Sequence, residues 1–294
     1  MPIGCPILVK GAAGRVGGVG GAVVEALRGR GLPVRALVRR DDDLTRAGEV
    51  LRALEGCKRM YFGMSVSAPY LEATVATAAA ARERGDLEVF VNMSQLTVSQ
   101  MSLTETTDSP QHRQHWLAEQ ALNWSGLPVV HVRPTVFLRH PFFLAWAAES
   151  IIRDGTIRLP FGSARTSPVD TLDVAEVIAA ILAGPEPHVG KVYQLTGPRS
   201  QDVRGLAAEY SDALGRPVAY VDVPFEQWRD QELRPRGLPE HVYEHLLTMA
   251  KLHAANRYDR LTHDVEAILG RPATSARDFV SRHADSFAPR PSRE

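Results

Sequence analysis

Only two cysteines, Cys5 and Cys57, occur in 294 residues. That is too few for a disulfide framework and fits a reducing compartment such as the cytoplasm. Neither sign of charge is in excess, with Lys+Arg and Asp+Glu at 34 each. The basic surplus or stripe of a nucleic-acid binder is therefore missing. No apolar run approaches the ~20 residues of a membrane span. The start, "MPIGCPILVKG", has no basic stretch leading into a long apolar one, so no signal peptide is expected. Two glycosylation sequons, at Asn92 and Asn123, carry no meaning without secretion. Hydrophobic residues at 44% and charged residues at 23% suit a soluble globule. The expectation is a soluble cytoplasmic protein that meets a small-molecule substrate, with no nucleic acid and no membrane. Assembly into a homo-oligomer is left open.

What the chain does contain is a regular alternation. Apolar runs bounded by turn residues predict strands at Pro6–Val9, Pro33–Val38, Arg59–Met64, Leu87–Met93 and Pro128–Val136. Helical patterns fall between them at Gly18–Arg30, Leu44–Gly56, Pro69–Arg84 and Pro110–Trp124. Such alternation implies a parallel sheet covered on both faces, a doubly wound α/β fold of the Rossmann type. Beyond Pro141 the pattern is looser. Helices are expected at Phe142–Arg153, Asp170–Leu182, Ser200–Leu214, Glu240–Asn256 and Ala276–Ala284. Short strands are expected at Thr156–Leu159, Lys191–Leu195 and Val218–Val223. This divides the chain into a nucleotide-binding domain over residues 1–140 and a smaller α/β substrate-pocket region over 141–294, partly interleaved with the first.

Seven glycines crowd the stretch from Gly11 to Gly29. Glycine costs roughly 1 kcal/mol relative to alanine inside a helix, so the cluster needs a reason. Gly11, Gly14 and Gly17 form G-x-x-G-x-x-G between a strand and a helix. A backbone free of Cβ lets a pyrophosphate approach the N–H groups, and the helix dipole favours its charge. Arg15 and Val16 sit inside this loop. The extra Gly18–Gly21 either lets the helix pack close to the sheet or lengthens the loop before it. At the end of the second strand, "LVRRDDD" offers Arg39 and Arg40 to a 2′-phosphate, which favours NADP over NAD. Asp41, Asp42 and Asp43 leave a solvated charged turn as the other reading, and NAD stays open.

"ILVKGAAGRVGG", "VRALVRR", "LEVFVNMS", "VVHVRPTVFL", "RTSPVDTLDVAEVIAAIL" and "KVYQLTGP" together resemble the NmrA-like branch of the atypical short-chain dehydrogenases/reductases. The resemblance covers nearly the whole chain. It implies NAD(P) binding and a carboxy-terminal part that shapes a substrate pocket. Family members include NADPH-dependent reductases of quinones and plant phenolics, and sensors that bind the cofactor without turnover. Two departures stand out. Between Val38 and Met60 there is room for one helix, where the family places a helix, a third strand and another helix. Either the molecule lacks that strand or a segment is missing from the sequence. The Y-x-x-x-K pair of ordinary short-chain dehydrogenases is also absent. Glu119 or Gln120 stands where many NmrA-like reductases carry a lysine, which puts ordinary carbonyl reduction in doubt.

The resemblance implies that Ser94, ending a parallel strand, lies beside the nicotinamide, and that Pro134 borders it. Met64, Ser65 and Asn92 join the cofactor-binding set on the same ground. Gln95 and Thr97 follow Ser94 on one loop and could bond a substrate oxygen, although a hydroxyl merely capping the strand is an equal reading of Ser94. Thr135, Phe137 and Tyr243 are the further candidates for substrate contact. His112 and His115 share one helical face, and His115 is the better candidate acid because imidazole titrates near neutrality. A histidine buried without a role is the competing reading. "HVYEH" at His241–His245 matches the spelling of inverted zinc peptidases, but zinc needs a third ligand and an open cleft. His253 is the only nearby extra donor, so the segment reads better as an amphipathic helix lining the pocket or a partner interface, and no metal is expected. The sum is an NADP-dependent oxidoreductase that passes hydride to a small conjugated carbonyl or quinone. Ser94 would orient the acceptor oxygen, and His115 or water would supply the proton. The alternatives are a cofactor sensor without turnover, or an isomerase or lyase on the same fold.

Overall fold

The computed structural model describes residues 4–11, 18–37, 44–64 and 69–289. In chain order the first elements are β1 (Ile7–Lys10), α1 (Val19–Gly29), β2 (Val34–Leu37), α2 (Ala47–Leu54), β3 (Arg59–Phe62) and α3 (Tyr70–Arg84). They are followed by β4 (Val89–Met93), α4 (Pro110–Trp124), β5 (Val129–Pro134), α5 (Ala145–Asp154), β6 (Thr156–Leu159), α6 (Thr171–Ala183) and β7 (Val192–Leu195). The last are α7 (Val203–Leu214), β8 (Ala219–Asp222), α8 (Phe225–Trp228), α9 (Glu240–Ala254), α10 (Asp264–Leu269) and α11 (Ala276–Arg282). Two compact units result. The first runs through Pro134 and adds Thr171–Leu195 and Asp264–Arg271; the second takes Thr135–Asp170, Thr196–His263 and Pro272 onward.

In the first unit six parallel strands lie in the order β2-β1-β3-β4-β5-β7. Helix α1 packs on α6 and α6 on α10, while α2, α3 and α4 pack in series, so both sheet faces are covered. Strand residues alternate between these layers. Leu8, Met60, Phe62 and Phe90 enter a core with Leu54, Tyr70, Ala118 and Leu122. Helix α4 starts where Ser109 caps it, its hydroxyl accepting from the His112 N–H at 3.3 Å, with Pro110 at the first helical position. Among the described residues, β2 is one edge of the sheet and β7 the other, and α2 is the one helix between β2 and β3.

The second unit has its own core, built around Phe142, Phe143, Phe161, Tyr210, Trp228 and Phe279. A parallel pair, β6 and β8, carries α5 and α7. Three elements escape the sequence patterns: a 3-10 turn at Leu96–Gln100, the helical run Phe225–Arg236, and α10. Each is short or interrupted, so no helical period can build up before it ends. No helix among the described residues is long and apolar enough to cross a membrane.

Candidate active site

Because every strand of the sheet is parallel, all the carboxyl ends lie on one edge. Strand β1 sits between β2 and β3, so the chain reverses direction across the sheet at β1, and the crevice for a ligand opens there. Gly11 leaves β1 at φ +99°, and a Cβ on it would collide with the Gly63 carbonyl at the end of β3. A Cβ on Gly63 would collide in turn with the Tyr61 hydroxyl. Both positions therefore exclude any side chain. Gly18 precedes α1 in the left-handed region at φ +68°, and Gly20 is buried within the helix that packs on α6. Gly14, Arg15, Val16, Gly17, Arg39, Arg40 and Ser65 lie outside the described residues.

Further along the edge, the Ser94 N–H continues the ladder to the Val132 carbonyl at 2.8 Å, and its side chain is buried. The chain then turns through Gln95 into the Leu96–Gln100 turn, which packs on α4. Four buried polar atoms here make no hydrogen bond: Asn92 Oδ1, Ser94 Oγ, Gln95 Nε2 and Thr97 Oγ1. Unpaired buried polar groups are uncommon because each forfeits its hydration. Four at one strand edge, beside a Cβ-free crevice, suit a polar group that completes them. These residues fit a dinucleotide and its substrate.

Helix α4 contributes a buried face of His112, His115, Ala118, Glu119 and Leu122. His115 Nδ1 is 3.0 Å from the Tyr70 hydroxyl at the first turn of α3. Burial and the Glu119 charge raise the Tyr70 phenol well above its ordinary pKa. Glu119 is fully buried and holds Arg133 of β5 at both carboxylate oxygens. Arg133 Nε donates to Oε1 at 2.9 Å and Nη2 donates to Oε2. Burial pushes the Glu119 carboxyl up, but the Arg133 hydrogen bond and charge outweigh it, so its pKa lies below the usual carboxylate value. Glu119 is thus an anion spent on Arg133, not an acid or base.

His131 lies between two amides, with Asn92 Nδ2 3.1 Å from Nδ1 and Asn123 Oδ1 3.0 Å from Nε2. An amide nitrogen can only donate and an amide oxygen only accept, which makes His131 the Nε2-protonated neutral tautomer. Burial lowers its pKa, with Glu119 opposing and Arg133 adding to the shift. Asn92 thus spends its nitrogen on His131 and keeps its oxygen open.

Met64 follows Gly63 at the β3 end and is half-buried, and Pro134 closes β5 against Leu195. Thr135, Phe137 and Tyr243 belong to the second unit. There Thr135 Oγ1 and Tyr243 Oη are buried without partners, and Phe137 bridges to Val169. In that unit burial pushes His245 down to about 4 and His253 to about 3. Among the described residues no three His, Cys, Asp or Glu side chains gather as a metal site. Sequence reasoning missed Tyr70, His131 and Asn123. It also missed the Glu119–Arg133 pair, for which a signal existed. An arginine inside the apolar run "VVHVRP" needs a buried anion.

No family model matches the chain. Among solved structures, it is similar to a NADPH-dependent quinone oxidoreductase from Escherichia coli complexed with NADPH, at TM-score 0.78 and 19% identity, covering 95% of this chain and 99% of that one. It is also similar to NmrA, a negative transcriptional regulator solved in complex with NADP, at TM-score 0.77 and 17% identity over 95% of each chain. These likenesses concern the fold. A curated relative, (4-alkanoyl-5-oxo-2,5-dihydrofuran-3-yl)methyl phosphate reductase from Streptomyces griseus subsp. griseus, is 31% identical over 298 residues, spanning 96% of this chain and 99% of its own. The chain belongs to the NmrA-like family of short-chain reductases. This NmrA-like reductase is an NAD(P)H-dependent oxidoreductase. In it, a histidine and a paired glutamate stand one helical turn apart on α4, and no Y-x-x-x-K pair is present on that helix.

Proposed function

We propose that this reductase carries hydride from NADPH to a small conjugated carbonyl, with a quinone as the simplest case. The observation that carries this reading is the set of unpartnered buried polar atoms on Ser94, Gln95 and Thr97 at the strand edge. They offer hydroxyls and an amide N–H to a substrate oxygen. The relative from Streptomyces adds support, since its named substrate is an unsaturated lactone with a second carbonyl.

Gly11 and the loop through Gly14, Arg15, Val16 and Gly17 would hold the pyrophosphate, and Arg39 and Arg40 the 2′-phosphate. Met64, Ser65, Asn92 and Pro134 would border the remainder. NADPH, when bound, supplies the hydride, so a quinone, that hydride and one proton together give a hydroquinone. Ser94 orients the acceptor oxygen, Gln95 and Thr97 fix its second face, and His115 meets the negative charge that gathers on it. A quinone suits a site without a tyrosine–lysine pair, because its ring stabilises the hydroquinone anion.

The experiment is steady-state loss of NADPH absorbance with a panel of quinones, conjugated enones and simple ketones. Turnover of the first two classes is expected. No NADPH consumption with any member would refute the reading and leave a cofactor sensor.

A further inference from the structure

The contact between Tyr70 and His115 determines which form of the imidazole the site can use. Tyr70 is fully buried. Its ring meets His115 edge-on, with centroids 5.1 Å apart and planes at 62°, and its hydroxyl is 3.0 Å from Nδ1. That nitrogen is the partner the phenol shows. A buried O–H without an acceptor loses its hydration for nothing, so the phenol proton points to Nδ1. Burial and the Glu119 charge keep that proton on the oxygen. An Nδ1 that accepts a hydrogen bond carries no proton of its own, so the ring proton lies on Nε2.

We propose that Tyr70 is a positioning residue that fixes His115 as the neutral, Nε2-protonated tautomer, so that the ring meets substrate oxygen as a hydrogen-bond donor and not as an acid. This rests on the reading that His115 serves the acceptor oxygen. Glu119, one turn along α4, is committed to Arg133 of β5. His112, one turn before, lies 3.2 Å from the Thr107 hydroxyl.

The proton balance follows. Hydride brings two electrons to the substrate carbon framework, and the oxygen takes the negative charge under the Nε2–H hydrogen bond. Water then protonates that oxygen and leaves as hydroxide, while His115 and Tyr70 keep their own protons. A site of this kind selects acceptors whose reduced anion is stable unaided, such as quinones and doubly conjugated carbonyls. Simple ketones, which need an acid, are poor substrates.

The test uses the full chain with ¹⁵N-labelled histidine. Side-chain NMR of the cofactor-free protein, with the His115 signals identified by their loss in His115→Gln, should show a neutral Nε2–H tautomer through the neutral pH range. Tyr70→Phe, which deletes only the hydroxyl, should release the ring to a mixture of tautomers or to protonation. With a quinone substrate, that variant should lose about tenfold in kcat, the worth of one ordinary hydrogen bond, and acquire an imidazolium limb in its pH profile that the wild type lacks. If Tyr70→Phe does not fold, the wild-type spectrum alone decides. An Nδ1–H tautomer or an imidazolium at neutral pH overturns the role of Tyr70, even if His115→Ala cuts turnover. Unchanged turnover in His115→Ala, which removes the donor that a glutamine amide could still supply, sinks the catalytic reading of His115 and the role of Tyr70 with it, whatever the tautomer.

Discussion

Replacing Arg133 with alanine would leave the Glu119 carboxylate buried without its partner. The Glu119 side chain has no exposure and Arg133 only 18%, so water cannot replace the lost guanidinium. Breaking such a pair from one side typically costs about 3–5 kcal/mol, and that loss is expected near neutral pH. The pH dependence makes the test sharper. In the wild type the folded Glu119 pKa lies below its unfolded value. Its contribution is therefore present above the unfolded pKa and lost as pH falls through the folded one. In Arg133→Ala the guanidinium that outweighs burial is gone, so the folded pKa moves above the unfolded value of about 4.3. The folded variant then binds a proton that the unfolded chain does not. Its deficit against wild type should be largest near neutrality and shrink on acidification. The double variant Arg133→Ala/Glu119→Gln removes the stranded charge and should recover most of the loss. Urea unfolding followed by circular dichroism over a pH series measures all three proteins. A deficit below about 1 kcal/mol would fit a weak surface pair and refute the reasoning, as would a deficit that does not change with pH.

Gly11→Ala forces a Cβ against the Gly63 carbonyl at a backbone angle that L side chains rarely adopt. It should destabilise the fold by at least about 2 kcal/mol, and an unchanged melting curve would show that the crossing of β1 and β3 relaxes freely. Arg39→Ala/Arg40→Ala should weaken NADPH at least about tenfold more than NADH. Fluorescence titration with both cofactors checks this, and equal weakening would remove the 2′-phosphate from these arginines.

Much of the fold could be read locally. Each strand of the sheet is a short apolar run, and each covering helix follows at the distance that a parallel crossover requires. The reading weakens where elements are too short to show a period, as at α10 and the Leu96–Gln100 turn. It also weakens where charge hides a helix, as in "FEQWRDQELRPRG", which the structure folds into the helical run Phe225–Arg236.

For the site, the sequence by itself determined the positions that depend on neighbours in the chain: Gly11 at a strand end, and Ser94, Gln95 and Thr97 on one loop. It also put His115 and Glu119 a turn apart on one helix, because residues four apart share a helical face. Tertiary structure alone decided what those side chains do. Tyr70 and His115 are separated by 45 residues, Asn92 and His131 by 39, and Glu119 and Arg133 by 14. No periodic pattern links positions that far apart, because they meet only when β4, β5 and the helices α3 and α4 stack into layers. The protonation state of each group is set by that meeting, since burial removes water and leaves the facing side chain as its only partner.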